Sequence, residues 1–400
     1  MGRAAHRLGP LTVHPPPWSD DAPHAHVDLG ALRHNLDLLR GRTSPGVRLL
    51  AAVKADAYGH GMLRVARALS EAGVDAFGVA TAAEALALRA ADVPGDVLLF
   101  GPVRAAIAEL VAAGVSLTVA QPADLEAIKR ALAGAGGGLV RGRVVVRGRV
   151  QVKVDTGMGR LGMGPDDARA LVAAVDRSPA VDLEGVWTHL ASADEPDATE
   201  PGSATDRQLV RFADLLARLE RDGLRPRWAH AANSAATLVR PDAHLDQVRP
   251  GIALYGQPPS AWLAARERDL RPVMRVDAPV TFVKRVAAGT PISYGGTWTA
   301  PRATVVATVR IGYADGYPRA LSSRAAAWHR GRRVPVTGRV CMDQLMLDLG
   351  PDGDAEVGER VDLIGGGAPS AFELAADAGS FSYELLTGIG ARVVRRYLPG

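Results

Sequence analysis

The sequence predicts an α/β protein in which a (β/α)8 TIM barrel is followed by a second, mostly β domain. Two patterns support this prediction. Short apolar runs alternate with amphipathic helical patterns up to about residue 270, and alternating strand patterns with Gly and Pro turns follow. Buried parallel strands read as continuous apolar runs, and each crossover between them needs a helix. Eight runs favour a closed barrel, with an open doubly wound sheet as the alternative.

The apolar runs that predict barrel strands share a length of five to seven residues and end near polar or small residues. They read LLAAVKA, AFGVA, VLLFG, SLTVA, VQVKVD, LEGVWTH, RWAHAAN and DQVRPG. Segments such as TDRQLVRFADLLARLERDG lie between them, with apolar residues at i, i+3 and i+4, as in amphipathic helices. VDLGALRHNL, near residue 27, could supply a strand and then the last barrel helix.

The predicted boundaries are a disordered leader over 1–25, the barrel over 26–269 and the second domain over 270–400. The leader is rich in proline, and the Gly/Arg-rich stretch 134–149 reads as a flexible insertion. Strand patterns VMRVDAPVTFVKRV, ATVVATVRIGY, VPVTGRVCMDQLMLDL and ERVDLIG build the second domain. We expect the final segment, YELLTGIGARVVRRYL, to form a helical tail.

Composition excludes several classes of protein. The chain has 400 residues, of which 47% are hydrophobic and 22% charged, as in soluble globular proteins. Cys341 is the only cysteine, which excludes a disulfide framework and a CxxC metal site, and we predict no metal centre. The net charge of +4 is spread over interleaved acidic and basic residues, so nucleic-acid binding is not expected. Neither a signal peptide nor an apolar run of membrane-spanning length is present, so a cytoplasmic protein without membrane partners is expected.

The segment AAVKADAYGHG contains the most informative residue of the chain, Lys54. A charged lysine at the carboxyl end of a buried strand is costly unless it is paired or used as a neutral amine, as in a Schiff base. Barrel active sites lie at that end of the strands, which favours the neutral amine over a structural ion pair. Tyr58 could turn its hydroxyl toward a phosphate, and Gly59 and Gly61 would let the backbone bend close to it.

AAVKADAYGHG resembles the cofactor-lysine signature of the alanine racemases. The resemblance runs from Val27 to Tyr397 and recurs in order at VKVDTGMGRLG, EGVWTHLASAD, ANSAATL, VRPGIALYG, ISYGGTW, IGYADGYPR, GRVCMDQLM and FSYELL. It implies a pyridoxal 5'-phosphate enzyme of the barrel-plus-β-domain type that works as a homodimer. It also implies that Lys54 carries the cofactor and is one of two catalytic bases.

The resemblance implies that Tyr294, in ISYGG, is the second base. Racemisation needs proton exchange on both faces of a planar Cα, and Lys54 would serve the D face and Tyr294 the L face. Ionising the hydroxyl of an unperturbed tyrosine to a phenolate at pH 7 costs about 4 kcal/mol. His189 and the cations around it are candidates for lowering that cost. The alternatives are a tyrosine packed in a β turn and a structural histidine.

Arg249, in VRPG, matches the family residue that contacts the pyridine nitrogen of the cofactor. A cation there opposes protonation of the ring, which should suppress transamination and decarboxylation. Related barrel decarboxylases pair this nitrogen with an acid instead. Without the resemblance, Arg249 would read as a surface ion pair.

The residues expected to bind the cofactor phosphate are small groups and tyrosines near the ends of the strands. Barrels often bind phosphate at the loops after the seventh and eighth strands. The predicted groups are Asn233, Ser234, Gly251, Ile252, Tyr58 and Tyr383.

Substrate recognition is assigned to Arg160, whose guanidinium fork suits a carboxylate. Lys153 and Asp155 face the same side of a strand and could form an ion pair. The resemblance to the alanine racemases instead implies that Lys153 is N-carboxylated and orients Arg160.

Three residues of the second domain complete the predicted site. Met342 and Asp343 resemble the family's substrate-facing loop, and Tyr313 resembles a tyrosine of its access path. A core methionine is the alternative for Met342.

The predicted function is alanine racemisation that supplies D-alanine for peptidoglycan. A broader amino-acid racemase, a decarboxylase and a non-catalytic paralogue that sequesters a racemase inhibitor remain alternatives. Arg249 and Tyr294 argue against the decarboxylase.

Overall fold

The computed structural model describes residues 20–134 and 147–400, and the chain divides into two compact units. The larger unit comprises His26–Arg275, Ser370–Ile389 and Arg395–Gly400. The smaller unit comprises Val276–Pro369, Gly390–Val394 and the described residues up to Ala25. Residues 1–19 of the predicted leader and 135–146 of the predicted insertion lie outside the described residues.

The larger unit contains a parallel barrel, preceded by β1 (His24–Asp28) and α1 (Leu29–Arg42). Its strands are β2 (Arg48–Ala52), β3 (Ala76–Val79), β4 (Asp96–Leu99), β5 (Val115–Val119), β6 (Gly148–Lys153), β7 (Val181–Trp187), β8 (Trp228–His230) and β9 (Gln247–Val248). They pair in the order β9-β2-β3-β4-β5-β6-β7-β8. Asp246 N donates to Ala229 O (3.1 Å) and Arg249 N to Ala232 O (2.9 Å), which closes the ring between β8 and β9. The barrel prediction is confirmed, and the open sheet is wrong.

Helical segments follow the barrel strands. They are α2 (Lys54–Tyr58), α3 (Met62–Glu71), α4 (Ala82–Ala90), α5 (Ile107–Ala112), α6 (Pro122–Gly134), α7 (Pro165–Asp176), α8 (Ala204–Arg221), α9 (Ser234–Val239) and α10 (Ala261–Ala264). The longer ones bury one apolar face, whereas the short α2 contains residues with left-handed backbone angles. In α8, Leu215 and Leu219 are buried, and the Ser203 hydroxyl caps the first turn. Helix α1 contacts α3 and α9, so it takes the place of the last barrel helix, as the sequence predicted.

The smaller unit is built on an antiparallel sheet. The strands of this sheet include β10 (Met274–Val286), β13 (Thr304–Val309), β14 (Ala326–His329), β15 (Arg332–Pro335), β16 (Leu345–Gly350) and β17 (Arg360–Ile364). Strands β11 (Pro291–Ile292) and β12 (Trp298–Thr299) form a separate two-stranded sheet. Strand β10 pairs with β13 and β17, β13 pairs with β16, and β14 pairs with β15 and β17. The prediction of a mostly β unit after the barrel is confirmed.

Two predicted segments of the chain differ from the structure. Helices α11 (Ala371–Asp377) and α12 (Ser382–Gly388) pack with the unit that holds the barrel, although they follow the predicted boundary at residue 270. The predicted helical tail ends at α12, and Val394–Leu398 forms strand β18 beside β1. Gly388 and Gly390 weaken a helix there, and the β-branched residues that follow favour a strand.

The predicted leader also extends too far along the chain. His24 and Ala25 are already part of strand β1, and both are buried. No helix within 20–134 and 147–400 is both long and apolar enough to cross a membrane.

Candidate active site

A cavity of about 840 Å³ lies at the carboxyl ends of the barrel strands, within the larger unit. This volume is typical of sites for small molecules and cofactors. Eleven residues singled out in the sequence line it: Lys54, Tyr58, Lys153, Arg160, His189, Asn233, Ser234, Arg249, Gly251, Ile252 and Tyr383. All but Tyr383, which lies on α12, are at or after the ends of barrel strands, and the barrel brings them together because all parallel strands end at one face.

The backbone after Lys54 forms a left-handed turn. Ala55, Asp56, Ala57 and Tyr58 have φ between 52° and 54°, a conformation that L-residues avoid. The Ala55 N–H donates to Glu84 Oε1 (2.7 Å) on α4, which holds the start of the turn in place. Backbone strain maintained by surrounding contacts is typical of functional sites.

His60 holds the other end of this turn. Its Nδ1 lies 3.0 Å from the carbonyl oxygen of Ala57 and 2.9 Å from that of Tyr58, so Nδ1–H donates to both. Burial lowers the pKa of His60 to about 4, so the ring is neutral. The turn therefore places Tyr58 at a fixed position beside the cavity.

Burial lowers the pKa of Lys54, the Arg160 guanidinium lowers it further, and Glu84 partly opposes both effects. The Nζ atom lies 5.9 Å from the centre of the Phe100 ring, an apolar neighbour. A larger fraction of the Lys54 amine is thus neutral at a given pH than for an exposed lysine. A neutral amine can attack a carbonyl carbon and can accept a proton.

Small groups and hydroxyls meet at one end of the cavity. The Gly251 N–H donates to Ser234 Oγ (2.8 Å), and a Cβ atom at Gly251 would lie 2.5 Å from the Tyr58 hydroxyl oxygen. Burial raises the pKa of Tyr58 to about 12, so its hydroxyl stays protonated and can donate. The Tyr383 ring centre is 6.0 Å from that of Tyr58, and Asn233 caps α9 through Ala236 N (3.0 Å). Only glycine fits at position 251 without displacing Tyr58.

Arg249 is buried, and its hydrogen-bond partners are neutral. Nη1 donates to His230 Nδ1 (2.8 Å), and Nη2 donates to the carbonyl oxygens of Thr188 (2.7 Å) and Ala231 (2.9 Å). In the described parts of the chain, no carboxylate forms an ion pair with Arg249, and burial lowers its pKa to about 9. The surface ion pair considered from the sequence is wrong, since the residue is only 5% exposed.

Lys153 and Asp155 do not pair with each other. The Asp155 carboxylate instead accepts from the N–H groups of Gly157 (2.9 Å), Met158 (2.8 Å) and Gly159 (2.9 Å), which fixes the loop that leads to Arg160. Burial lowers the pKa of Lys153 to about 7, and the Arg249 and Arg160 charges act in the same direction. The ion-pair alternative is therefore wrong, and Lys153 has a substantial neutral fraction at neutral pH.

His189 is surrounded by cations. Burial lowers the pKa of His189 well below its usual value, and the charges of Arg249, Arg160, Lys153 and Lys54 lower it further. His189 is therefore neutral at pH 7, and these cations, not the imidazole, supply the positive field predicted from the sequence.

From the sequence, Trp187 is expected to be bulk of the core or of an interface, but it lies beside the cations of the cavity. Its ring centre is 5.1 Å from Lys153 Nζ and 5.0 Å from Arg249 Cζ, within the range of cation–π attraction. A bulky aromatic residue at the end of an apolar strand, next to a strand with an internal lysine, was the available signal.

The predicted residues of the smaller unit do not line this cavity. Tyr294 is 71% exposed, Met342 53% and Tyr313 43%. The Tyr313 N–H donates to Cys341 O (3.0 Å), and Asp343 pairs with Arg392 (2.8 Å).

The loop of Tyr294 is joined to the same part of the smaller unit. The Ser293 hydroxyl donates to Arg339 O (2.8 Å), two residues before Cys341. Hydrogen bonds thus connect the loops of these residues, whose side chains stay accessible.

Comparison with known proteins gives the same family for both units. Family profiles described as "Alanine racemase, N-terminal domain" and "Alanine racemase, C-terminal domain" match residues 27–259 and 273–397. An alanine racemase of Geobacter sulfurreducens is 43% identical over 379 residues, which is 94% of this chain and 96% of the relative.

Solved structures agree with the sequence relatives. Alanine racemase from D-cycloserine producing Streptomyces lavendulae has a TM-score of 0.86 at 40% identity, covering 95% of this chain and 97% of that one. Alanine racemase from Bacillus anthracis with bound L-Ala-P has a TM-score of 0.86 at 34% identity, covering 96% of each chain. This chain belongs to the alanine racemase family and is an isomerase of the racemase type.

Proposed function

We propose that the protein interconverts L-alanine and D-alanine with pyridoxal 5'-phosphate and two opposed bases, Lys54 and Tyr294. The single observation that carries this proposal is that three features meet in one cavity. They are Lys54 with its lowered pKa, the space that Gly251 leaves beside the Tyr58 hydroxyl, and the buried Arg249. The relative solved with bound L-Ala-P supports alanine as the substrate. In a cytoplasmic enzyme of this kind, the D-alanine would supply peptidoglycan.

The residues of the cavity fit the cofactor. The phosphate would be held by the N–H groups near Gly251 and Ile252 and by the hydroxyls of Ser234, Tyr58 and Tyr383, with Asn233 shaping the loop. Gly251 supports this assignment, because any side chain at this position would fill the space next to the Tyr58 hydroxyl. Lys54 would bind the cofactor covalently through its neutral amine, and Arg249 would face the pyridine nitrogen as a cation.

When bound, the cofactor acidifies the Cα–H bond of an amino acid by delocalising its electron pair. The chain has to move the proton. Lys54 Nζ would accept or return it on one face, and the lowered pKa of Lys54 favours that exchange near neutral pH. The hydroxyl of Tyr294 would serve the opposite face. The guanidinium charges of Arg249 and Arg160 near His189 would stabilise the phenolate form of Tyr294.

Arg160 would bind the substrate carboxylate, with the Met342 backbone N–H as a second donor. We propose that Lys153 reacts with carbon dioxide to form a carbamate, which turns a cation into an anion beside Arg160. The neutral fraction of Lys153 supports this reaction, because only an unprotonated amine attacks carbon dioxide.

We propose that the working unit is a homodimer in which Tyr294, Tyr313, Met342 and Asp343 of one copy complete the cavity of the other. The exposure of the first three residues and the position of all four outside the cavity of their own chain support this arrangement. A C2 dimer would make two equal shared sites.

The direct test is to incubate the cofactor-loaded protein with L-alanine and to measure D-alanine, with serine and other amino acids as competitors. Conversion of alanine with weak competition supports the proposal. Equal conversion of several amino acids would show a broader racemase. Ligand binding without conversion of any amino acid would contradict the proposal.

A further inference from the structure

A chain of hydrogen bonds runs from Arg249 through the interior of the barrel, away from the cavity. Arg249 Nη1 donates to His230 Nδ1 (2.8 Å), and His230 Nε2 lies 2.7 Å from Gln151 Oε1. Gln151 Nε2 donates to Glu184 Oε2 (3.0 Å). These residues lie on β9, β8, β6 and β7 or directly beyond their ends, and the link from His230 to Gln151 passes across β7 inside the barrel.

The chemistry of the two ends fixes every proton in this chain. Arginine can only donate, so Nδ1 of His230 must accept and the neutral ring must carry its proton on Nε2. That proton is donated to Gln151 Oε1, which leaves the Gln151 amide N–H₂ to face Glu184. An ionised carboxylate can only accept. All three donors therefore point the same way, toward Glu184.

The chain is closed to solvent and ends on a fixed charge. Gln151 is 3% exposed, Glu184 8%, and His230 is fully buried. Glu184 also accepts from the Ser116 hydroxyl, and its other oxygen pairs with Arg149 (3.1 Å). In such an interior, hydrogen bonds in series polarise one another, and a charge at one end acts on the other.

We propose that Gln151 and Glu184 are positioning residues for the reaction, with Glu184 as the remote counter-ion of Arg249. Through Gln151 and His230, Glu184 strengthens the acceptor that holds the arginine and stabilises its positive charge. Arg249 has no carboxylate partner of its own among the described residues, so this relay of hydrogen bonds through His230 and Gln151 connects it to a carboxylate that it shares with Arg149.

This inference rests on the proposed function in one respect, that Arg249 faces the pyridine nitrogen of the cofactor. A firmly held cation there keeps the nitrogen unprotonated, which limits amino-group transfer to the cofactor relative to racemisation. The relay would therefore control the ratio of side reaction to racemisation, and the state of the His230 proton would report on it directly.

The test uses cofactor-loaded protein with ¹⁵N-labelled histidine, and a His230→Asn variant assigns the resonances of the ring. Wild-type protein should show an unprotonated Nδ1 and a protonated Nε2 with a slowly exchanging proton. Gln151→Met and Glu184→Gln cut separate links of the relay at nearly constant volume. In each, the Nε2 proton should exchange about tenfold faster, as the loss of one hydrogen bond to a charged group predicts. Amino-group transfer per racemisation should rise by a similar factor.

Thr118→Val is the matched control. Thr118 is buried next to Gln151 in the register of β5 and β6, but its hydroxyl donates to Leu99 O (2.7 Å) and not to the relay. This variant should lose comparable stability and leave the His230 proton and the reaction ratio as in the wild type.

A protonated Nδ1 in wild-type protein would overturn the proposal. So would relay variants that match Thr118→Val in both the proton exchange and the reaction ratio. Because the histidine signals do not depend on turnover, a protein that shows them without racemising alanine would retain the relay and refute only the proposed function.

Discussion

The residues of the barrel cavity and those of the smaller unit are held in different ways. In the cavity, burial lowers the pKa values of Lys54, Lys153 and Arg249, and neighbouring cations lower those of the two lysines further. In the smaller unit, Tyr294 and Met342 are more than half exposed, although hydrogen bonds fix their loops. The barrel thus prepares its own electrostatic environment, whereas the smaller unit presents side chains on its surface.

This difference assigns different tasks to the two units. A desolvated amine and a buried cation depend on the fold of a single chain, so we expect the barrel to hold the proposed cofactor by itself. Exposed groups can act on a substrate only when a second surface covers them. Substitutions in the two units should therefore separate cofactor binding from proton exchange.

The largest effect is expected for Lys54→Ala. Loss of the amine removes both the covalent attachment of the cofactor and one base, so racemisation should fall by more than about 10⁴-fold. Borohydride treatment and peptide mass analysis should find the cofactor on Lys54 in the wild type. Lys129→Ala, which removes an exposed lysine paired with Glu126 (2.7 Å), is the control. A cofactor label elsewhere would contradict the assignment.

Tyr294→Phe should affect proton exchange alone. Removal of one general base typically costs about 10²- to 10⁴-fold, so exchange of the α-proton of L-alanine with deuterium oxide should fall in that range. The cofactor affinity should not change, because the residue lies outside the cavity of its own chain. The control, Tyr397→Phe, removes another tyrosine hydroxyl outside that cavity. This variant should exchange the α-proton of L-alanine as fast as the wild type does. Unchanged exchange in Tyr294→Phe would exclude this residue as a base.

Gly251→Ala should weaken cofactor binding without removing any reacting group. Its Cβ would lie 2.5 Å from the Tyr58 hydroxyl oxygen, and overpacking of this kind costs about 1–3 kcal/mol. We expect the dissociation constant of the cofactor to rise about 10- to 100-fold, measured by equilibrium dialysis. Gly41→Ala, whose Cβ would meet no atom within 4 Å, should bind as the wild type does. Equal cofactor affinity in both variants would show that the space at Gly251 is not the phosphate site.

The smallest effect is expected for Lys153→Met, which should raise KM for alanine about tenfold through loss of one charge-assisted contact to Arg160. ¹³C NMR with labelled bicarbonate should show a carbamate signal that this variant lacks and Lys129→Met retains. The folded-state pKa of Lys153 is about 7, so the signal should persist above that pH and fade as pH drops below it. A signal that strengthens on acidification would contradict the carbamate.

The lowered pKa of Lys153 also makes the stability of the folded protein depend on pH. Because the pKa of Lys153 is lowered from 10.5 to about 7, the unfolded state binds more protons than the folded state between these values. The contribution of this residue to the free energy of unfolding should therefore increase as pH rises through that interval, and Lys153→Met should lack this component.

Sequence patterns predicted the barrel and the lining of its cavity because both follow from strand ends. Apolar runs located the strands, and a lysine such as Lys54 at the end of one run was conspicuous. The left-handed turn after Lys54 was not predictable, because Ala55 and Ala57 do not favour positive φ and contacts from residues such as Glu84 and His60 help to hold it.

The relay behind Arg249 was also beyond the sequence. Gln151, Glu184 and His230 are far apart along the chain, and their hydrogen bonds depend on the order in which the strands close. The assignment of α11 and α12 to the larger unit could not be predicted for a similar reason. The local sequence of a short helix does not indicate which unit the helix packs against.

The most direct test of two bases in one shared site uses mixed dimers. Lys54→Ala and Tyr294→Phe chains with different tags are coexpressed, and the heterodimer is purified and assayed with L-alanine. Each parent should be inactive, whereas the heterodimer should recover about half of the wild-type activity, because a C2 arrangement leaves one site with both bases intact. A stable heterodimer no more active than its parents would contradict the shared two-base site.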